Sequence, residues 1–389
     1  MNPLKPLLLL VGAAIVLPWD IALIPGPVPR INLQTENTGP LDEPNYTRES
    51  VLFPSVEQGL QLEAWVYRPK HPAASPPPVV VMGHGLGAQK DMGLHNYASR
   101  FADSGLAVFV FDYRTFGGSD GMPRNWISPR RHLQDWRSAL LYVATGLSAD
   151  GSVDAARVAL WGTSFGGGHA LVMAGEQKDA IRAVVPFLDG KLTLQRNLKT
   201  RGVLALLRGA AAGLHDHVRG ALGQPAAYVR LAGPVGSNSL MQLDEYELES
   251  YFSKHPKVYQ GGWRNQARAA FGLEASSYRP IESVPHVTAP VLYITAVKDT
   301  LCPQEAIQAA VASTPRARQI VMPCTHFDVY RGKEFEQVVE AETAFLLEHL
   351  APEAAAATAA AAAAAAEQDS AAAEQGAAVA GGGDAHEEL

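Results

Sequence analysis

Short runs of apolar residues alternate with segments of helical length along most of the chain. An unbroken apolar run predicts a strand that is covered on both faces, as in a buried parallel sheet. Six runs of this kind are 79–82, 107–111, 158–161, 183–185, 291–295 and 319–322. The helix-length segments are 92–104, 129–145, 165–178, 303–312 and 335–350. This alternation predicts an α/β fold with a parallel sheet and right-handed crossovers.

Two parts of the chain depart from this pattern. Residues 47–53 and 60–68 flank a Gln-Gly turn, and the alternation within the second run predicts a β-hairpin. The interval 187–287 contains no clear buried strand but has helix-like pieces at 203–222 and 243–253. An insertion of about 100 residues is too long for an ordinary connection, so it predicts a helical cap over the site. The core would then comprise residues 47–186 and 288–350.

The N-terminus carries an apolar run at 7–17, preceded by Lys5 and followed by Asp20 after a Pro-Trp pair. A spanning helix needs about 20 apolar residues, so the run favours a signal peptide or uncleaved anchor over residues 1–24. This predicts membrane association through residues 7–24, and slightly favours the secretory pathway or a membrane over a cytoplasmic or organellar location. The alternative is a transit segment or one that packs on the body, since no small-x-small cleavage site follows. Residues 25–46, rich in Pro, Gly, Asn and Thr, are predicted to be a linker.

Charge is distributed unevenly over the 389 residues. The segment 351–389 is an Ala-rich, acidic, low-complexity tail with seven acidic side chains and no Lys or Arg, and it accounts for the whole net charge of −7. High helix propensity without large apolar side chains predicts a disordered or marginally helical extension. The remaining body is neutral, which argues against a nucleic-acid partner, because such binding needs a clustered basic surface.

The sequence Gly162-Thr163-Ser164-Phe165-Gly166 runs directly from a predicted strand into a predicted helix. This is the G-x-S-x-G pattern of a nucleophile elbow, in which a tight turn lifts a serine hydroxyl above the sheet. The flanking positions need glycine because side chains there would collide. Serine alone is a weak nucleophile, so this motif requires a base and an acid elsewhere.

Both partners have candidates at strand ends. Asp299 follows the strand at 291–295, and His326 follows the strand at 319–322. Reacting groups in open α/β sheets gather at the carboxyl ends of the strands, which favours His326 as the base and Asp299 as the acid. Asp189 is the chief rival acid. Asp42 and Asp328 are weaker candidates, Asp328 because it lies too near His326 in sequence to face it.

An acyl transfer also needs hydrogen-bond donors for the oxyanion. The N–H of Phe165, directly after the nucleophile, is one expected donor. The loop Gly83-His84-Gly85-Leu86-Gly87 follows the first buried strand and is predicted to supply the other, through Leu86 or, alternatively, through Gly85 or Gly87. His84 is interpreted as a structural residue of this loop. The segment 116–120 is interpreted as a glycine-dependent turn rather than a wall of the site.

Four stretches together resemble a known superfamily: 83–87, 111–121, 161–168 and 325–328. They resemble the α/β-hydrolases over residues 47–350, and within these the X-prolyl dipeptidyl-peptidase-like hydrolases and the polyketide-transferase-like proteins. The resemblance implies a mostly parallel eight-stranded sheet with flanking helices and an acyl-enzyme mechanism. It carries the roles of nucleophile, acid and base onto Ser164, Asp299 and His326. It does not carry over a substrate, because the superfamily is chemically diverse.

Two cysteines lie close to these candidates, Cys302 after Asp299 and Cys324 before His326. If the two loops meet, the cysteines either form a disulfide, which requires an oxidising compartment, or remain separate thiols. No cofactor or metal is expected, since the chain lacks a P-loop motif, lacks G-x-G-x-x-G after the first buried strand, and has no His/Cys cluster with ligand spacing.

The sequence therefore predicts a serine hydrolase with a small-molecule acyl substrate, an ester or thioester of mainly apolar character. A peptidase of X-prolyl type and an acyltransferase with the same triad are the enzymatic alternatives. A catalytically silent ligand-binding protein is a further one. The oligomeric state stays open.

Overall fold

The structure is a computed structural model that describes residues 39–186, 192–253, 263–275, 277–302 and 304–356. The predicted signal or anchor segment, most of the predicted linker, and most of the tail lie outside these residues, as does Asp189. Among the helices that are described, none combines the length and the apolar character needed to cross a bilayer.

One large sheet contains nine strands. Their bounds are β1 Leu41–Asp42, β2 Tyr46–Pro54, β3 Gln61–Pro69, β4 Pro78–Gly83, β5 Ala107–Phe111, β6 Asp154–Gly162, β7 Ile181–Pro186, β11 Val291–Ala296 and β12 Ala317–Met322. Their order across the sheet is β1-β2-β3-β5-β4-β6-β7-β11-β12. The six strands from β5 to β12 are parallel, and the three at the other edge are antiparallel. The predicted α/β-hydrolase fold is confirmed; eight of the strands are those expected, and β1 is a two-residue addition at the edge.

Helices cover both faces of this sheet. In the core they are α1 Leu94–Asp103, α2 Pro129–Tyr142, α3 Phe165–Gln177, α7 Gln304–Ser313 and α8 Gly332–Leu350. The central strands are buried along their whole length, as the unbroken apolar runs required; β4, β5 and β11 have no exposed residue. The predicted strand β6 is longer than its apolar run, because its first residues Asp154 to Arg157 continue the pairing as a partly exposed extension.

The interval 187–287 is not purely helical, and this corrects the prediction. It holds the helices α4 Leu192–Ala221, α5 Glu245–Ser253 and α6 Phe271–Glu274, and a separate three-stranded sheet of β8 Tyr228–Pro234, β9 Ser239–Leu243 and β10 Gln266–Arg268. The strand β9 alternates buried and half-buried residues. A strand covered on one face alternates in this way and lacks the unbroken apolar run that marks a strand buried on both faces.

The end of the predicted linker also belongs to the sheet. Leu41 and Asp42 pair antiparallel with Arg48 and Thr47, so ordered structure begins before residue 47. Asp42 is exposed there and forms an ion pair with Lys70 at 2.7 Å. Its place on the outermost strand, beyond β2 and β3, removes it as a candidate acid.

Candidate active site

Ser164 occupies a strained backbone turn between β6 and α3. Its φ and ψ angles are 53° and −124°, a conformation that residues with a side chain rarely adopt. Such strain costs about 1–3 kcal/mol and persists only where the surroundings enforce it. A Cβ on Gly162 would lie 2.2 Å from the carbonyl oxygen of Gly166, and a Cβ on Gly166 would lie 2.5 Å from that of His84. The two glycines of the motif are therefore needed for the backbone to pack at all.

His326 and Asp299 form a buried hydrogen-bonded pair. The His326 Nδ1–H donates to Oδ2 of Asp299 at 2.7 Å, and the two residues are only 2% and 7% exposed. The other carboxylate oxygen, Oδ1, accepts the backbone N–H groups of Leu301 at 2.7 Å and Cys302 at 2.8 Å. These bonds fix the carboxylate, and the carboxylate in turn fixes the ring. With Nδ1 protonated, the neutral imidazole keeps its lone pair on Nε2, as a general base requires.

The sheet brings Ser164 to the same edge as this pair. Ser164 follows β6, Asp299 follows β11 and His326 follows β12, and the carboxyl ends of parallel strands lie at one edge. A side-chain hydrogen bond ties the two regions together: the Thr163 hydroxyl pairs with the hydroxyl of Tyr330, in the turn that follows His326. The topology thus gathers all three predicted residues from positions far apart in the sequence.

The rival acid Asp328 is occupied elsewhere. Its Oδ2 accepts from the backbone N–H of Thr325 at 2.9 Å and from the hydroxyl of the same residue at 2.7 Å. Its Oδ1 accepts from Tyr246 at 2.9 Å. Asp328 therefore shapes the loop that carries His326, while Asp299 makes the hydrogen bond to the ring. The other rival, Asp189, lies outside the described residues.

The glycine-rich loop after β4 packs directly against Ser164. A Cβ on Gly85 would lie 3.2 Å from Cβ of Ser164 and 3.3 Å from the carbonyl oxygen of Thr163. Leu86, the predicted donor, is half-buried in this loop. Phe165 is the first residue of α3, and the first N–H groups of a helix have no partner within it. Leu86 directly follows Gly85 and Phe165 directly follows Ser164, so both predicted donors lie near Ser164, and their role in binding an oxyanion stays a prediction.

His84 holds this loop in place, in agreement with its interpretation as structural. Its Nδ1–H donates to the Gly85 carbonyl at 3.0 Å, and its Nε2 accepts the Tyr113 N–H at 3.4 Å. Burial lowers its pKa to about 4, so the ring is neutral at physiological pH. Both ring nitrogens are engaged, and neither is left for acid–base chemistry.

A buried charge network beneath the same loop escaped sequence reasoning. Lys90 Nζ lies 2.5 Å from Oδ2 of Asp112 and 2.9 Å from Oε2 of Glu63. Burial by itself raises the pKa of Asp112, but Lys90 and His84 outweigh this, and the pKa is lowered overall. A Cβ on Gly118 would lie 1.3 Å from Oε2 of Glu63, which explains the glycine-dependent turn at 116–120. The position of Asp112 at a strand end was the one available signal for this network.

The two cysteines are buried and are not joined by a disulfide, so of the two alternatives the structure has the separate thiols. The loops do meet as expected, because the Lys298 N–H donates to the Cys324 carbonyl at 3.0 Å. Burial raises the pKa of the Cys324 thiol to about 11. Adjacent loops were therefore not enough to place the two sulfur atoms in bonding geometry.

Among the described residues, Asp299, Cys302 and His326 have potential metal-ligand atoms within 4.8 Å of one another. Both oxygens of Asp299 already accept hydrogen bonds from His326 and from backbone N–H groups. The arrangement is accounted for by an acid–base pair beside a buried thiol.

A mostly parallel sheet with this strand order, a serine at the turn after a central strand, and a His–Asp pair at the same edge define an α/β hydrolase. Residues 58–328 match the family model described as X-Pro dipeptidyl-peptidase, S15 family. The chain belongs to this family.

Relatives in the family carry different functional names. The chain is 34% identical to the quorum-quenching protein AidA of Acinetobacter baumannii over 290 residues, 74% of this chain and 91% of that protein. It is 27% identical to the polyketide transferase af380 of Aspergillus fumigatus over 311 residues, 78% of this chain and 99% of that protein. A solved α/β hydrolase, GrgF from Penicillium, has a TM-score of 0.62 at 23% identity and covers 78% of this chain and 99% of its own. That likeness supports the fold.

Proposed function

We propose that the protein is a serine hydrolase that cleaves a carboxylic ester or thioester of mainly apolar character through an acyl-enzyme on Ser164. The observation that carries this proposal is the 2.7 Å hydrogen bond between His326 and Asp299, at the sheet edge where the strained turn holds Ser164. A buried carboxylate fixed in this way orients an imidazole as a base for a neighbouring hydroxyl.

In the proposed mechanism the Ser164 hydroxyl attacks the substrate carbonyl while His326 Nε2 takes its proton. The N–H groups of Leu86 and Phe165 stabilise the oxyanion of the tetrahedral intermediate. Its collapse breaks the bond to the alcohol or thiol, which leaves with the proton from His326. Water then attacks the acyl-enzyme, His326 takes a proton from it, and the carboxylic acid departs as Ser164 regains its hydrogen.

The apolar character of the acyl group is inferred from the cap. Phe165, next to the nucleophile, has ring centroid distances of 6.0 Å to Phe271 and 5.4 Å to Tyr278, both from the interval 187–287. In the same interval, Leu231 packs against Gly87 of the oxyanion loop. Small-molecule sites are usually lined by apolar and aromatic groups of this kind.

Labelling of the full chain with a fluorophosphonate tests the proposal, with Ser164→Ala as the control. We expect stoichiometric labelling of wild type, no labelling of the variant, and hydrolysis of p-nitrophenyl esters with a preference for longer acyl chains. Folded wild-type protein that takes up no label would refute the hydrolase and favour a ligand-binding protein on this scaffold.

Acyl transfer to an alcohol or amine is the second candidate, because a relative that aligns over 99% of its length is named a polyketide transferase. The family description makes a peptidase a third. Added alcohol or amine distinguishes transfer from hydrolysis by giving a new ester or amide as the main product. Release of p-nitroaniline from an X-Pro anilide distinguishes the peptidase.

A further inference from the structure

The cap helix α5 contacts both loops of the acid–base pair. Its Tyr246 hydroxyl donates to Oδ1 of Asp328 at 2.9 Å, in the loop that carries His326. The next residue, Glu247, accepts a hydrogen bond on Oε2 from the Thr300 hydroxyl at 2.6 Å. Thr300 directly follows Asp299 in the sequence. One turn of one helix thus bridges the loop of the acid and the loop of the base.

Glutamate is rarely buried in proteins, but the side chain of Glu247 is fully buried. Its Oε2 is engaged by Thr300, while Oε1 is buried with no hydrogen-bond partner among the described residues. Burial of a carboxylate oxygen without a hydrogen-bond partner is unfavourable.

The groups around Glu247 act on its carboxyl group in opposite directions. Burial raises its pKa and Asp244 and Asp299 act in the same direction, while the Thr300 hydrogen bond and His326 favour the carboxylate; the pKa is raised overall. Glu247 is therefore near enough to the acid–base pair to interact with both of its members. Electrostatic interaction is reciprocal, so a Glu247 carboxylate also favours the charged form of His326.

We propose that Glu247 is a positioning residue for the acid–base pair, which holds the Asp299 loop through Thr300 and supplies a second negative charge beside His326. The proposal rests on the proposed function, in which His326 becomes positively charged when it takes the proton of Ser164. The cap would then take part in catalysis as well as contacting the substrate. An interaction that strengthens as charge develops accelerates the reaction more than it aids binding.

The charged and titratable groups in the region of His326 come from several elements. Asp299 and Cys302 lie in the loop after β11, Asp328 lies in its own loop, and Glu247 lies on the cap helix. Only the Glu247 charge is removed in the variant Glu247→Gln, whose amide oxygen can still accept the Thr300 hydrogen bond. Glu249→Gln is the matched control, because it removes the same charge from an exposed position on the same helix.

The test is an NMR titration of the His326 imidazole in the full chain, with the resonance assigned by its loss in His326→Gln. We expect the midpoint to fall by about 0.5–1 pH unit in Glu247→Gln, because an opposite charge has been removed, and to stay in place in Glu249→Gln. Glu247→Asp should keep most of the wild-type midpoint. The proposal is overturned if the His326 midpoint is the same in wild type, Glu247→Gln and Glu249→Gln. It is also overturned if His326 does not titrate in any of them.

Fluorophosphonate labelling of the same samples separates the two proposals. A shifted midpoint with no labelling of wild type would support the interaction of Glu247 with His326 and refute the hydrolase. Normal labelling with an unshifted midpoint would support the hydrolase and refute the role of Glu247.

Should Glu247→Gln not fold, Thr300→Val and Thr300→Ser carry the test. The first removes the hydroxyl that Glu247 holds and should slow labelling several-fold, whereas the second keeps the hydroxyl and should restore the rate. Equal rates in both variants would overturn the proposal.

Discussion

The indole Nε1–H of Trp161 donates a 2.9 Å hydrogen bond to Oε2 of Glu342, and both residues are 3% exposed. Trp161 lies three residues before Ser164 at the end of β6, and Glu342 lies on α8. This contact ties the C-terminal helix of the core to the strand that leads into Ser164. It also buries a carboxyl group, which makes the stability of the protein depend on pH.

Glu342→Gln should remove part of that dependence. Burial raises the pKa of Glu342 from 4.5 to about 8, so between these pH values the folded state holds a proton that the unfolded state has lost. Stability therefore falls as the pH rises through this window, and at pH 8 the variant should melt about 3 °C or more above wild type. The difference should vanish near pH 4.5.

Differential scanning calorimetry at several pH values measures this difference. Burial also raises the pKa of Asp135 to about 7 and of Asp91 to about 6, but both groups are present in wild type and variant. The difference between the two proteins therefore isolates Glu342. A gap in melting temperature that is constant with pH would contradict the assignment.

Asp299→Asn and Asp328→Asn distinguish the acid from its neighbour. The first replaces the acceptor of the His326 ring N–H, and we expect kcat/KM for an ester to fall by about 10³-fold or more. The second weakens only the bonds that shape the loop, and we expect a loss within about tenfold. Steady-state kinetics of the two variants side by side give the answer. Equal losses would mean that the role of the acid is assigned wrongly.

Trp263→Phe tests whether the cap positions the loop 83–87, which carries the proposed oxyanion donor. The Trp263 Nε1–H donates to the Gly87 carbonyl at 2.9 Å, one residue after the proposed donor Leu86. Loss of this bond should lower kcat about three- to tenfold with little change in KM, because the donor is positioned for the transition state. Trp126→Phe is the control, since the Nε1 of that indole has no hydrogen-bond partner in the part of the chain that the structure describes. A KM effect alone would contradict the positioning role.

Lys90→Met, which removes a buried ion pair, should lower the free energy of unfolding more than a variant that removes an exposed ion pair. The variant leaves Asp112 buried without its main counter-charge, and we expect a loss of about 3–5 kcal/mol in the free energy of unfolding. Lys70→Met breaks the exposed pair with Asp42 and should cost at most about 1 kcal/mol. Urea denaturation of both variants measures the contrast. Equal losses in the two variants would show that breaking the buried pair costs no more stability than breaking the exposed one.

Local patterns in the sequence were sufficient for most of the core. The strand β5 lies where its unbroken apolar run predicted, because a strand buried on both faces has no polar position to blur its ends. The turn at Ser164 was likewise readable, since the collision that excludes a side chain at Gly162 arises from the carbonyl of Gly166, only four residues away. Where the physical cause acts within a few residues, the sequence displays it.

Tertiary structure decided what depends on contacts between distant segments. The sequence favoured Asp299 over Asp328, but only the packed loops show that Asp299 bonds to the His326 ring while Asp328 bonds to Thr325. The strand β9 escaped because one-sided burial leaves an alternation too short to recognise. The bonds from Glu247 to Thr300 and from Tyr246 to Asp328 span 53 and 82 residues. The sequence by itself determined eight strands of the large sheet and the turn at Ser164. The hydrogen-bond partners of His326, the strands of the cap and the contacts of the cap with the site loops depend on how the chain packs on itself.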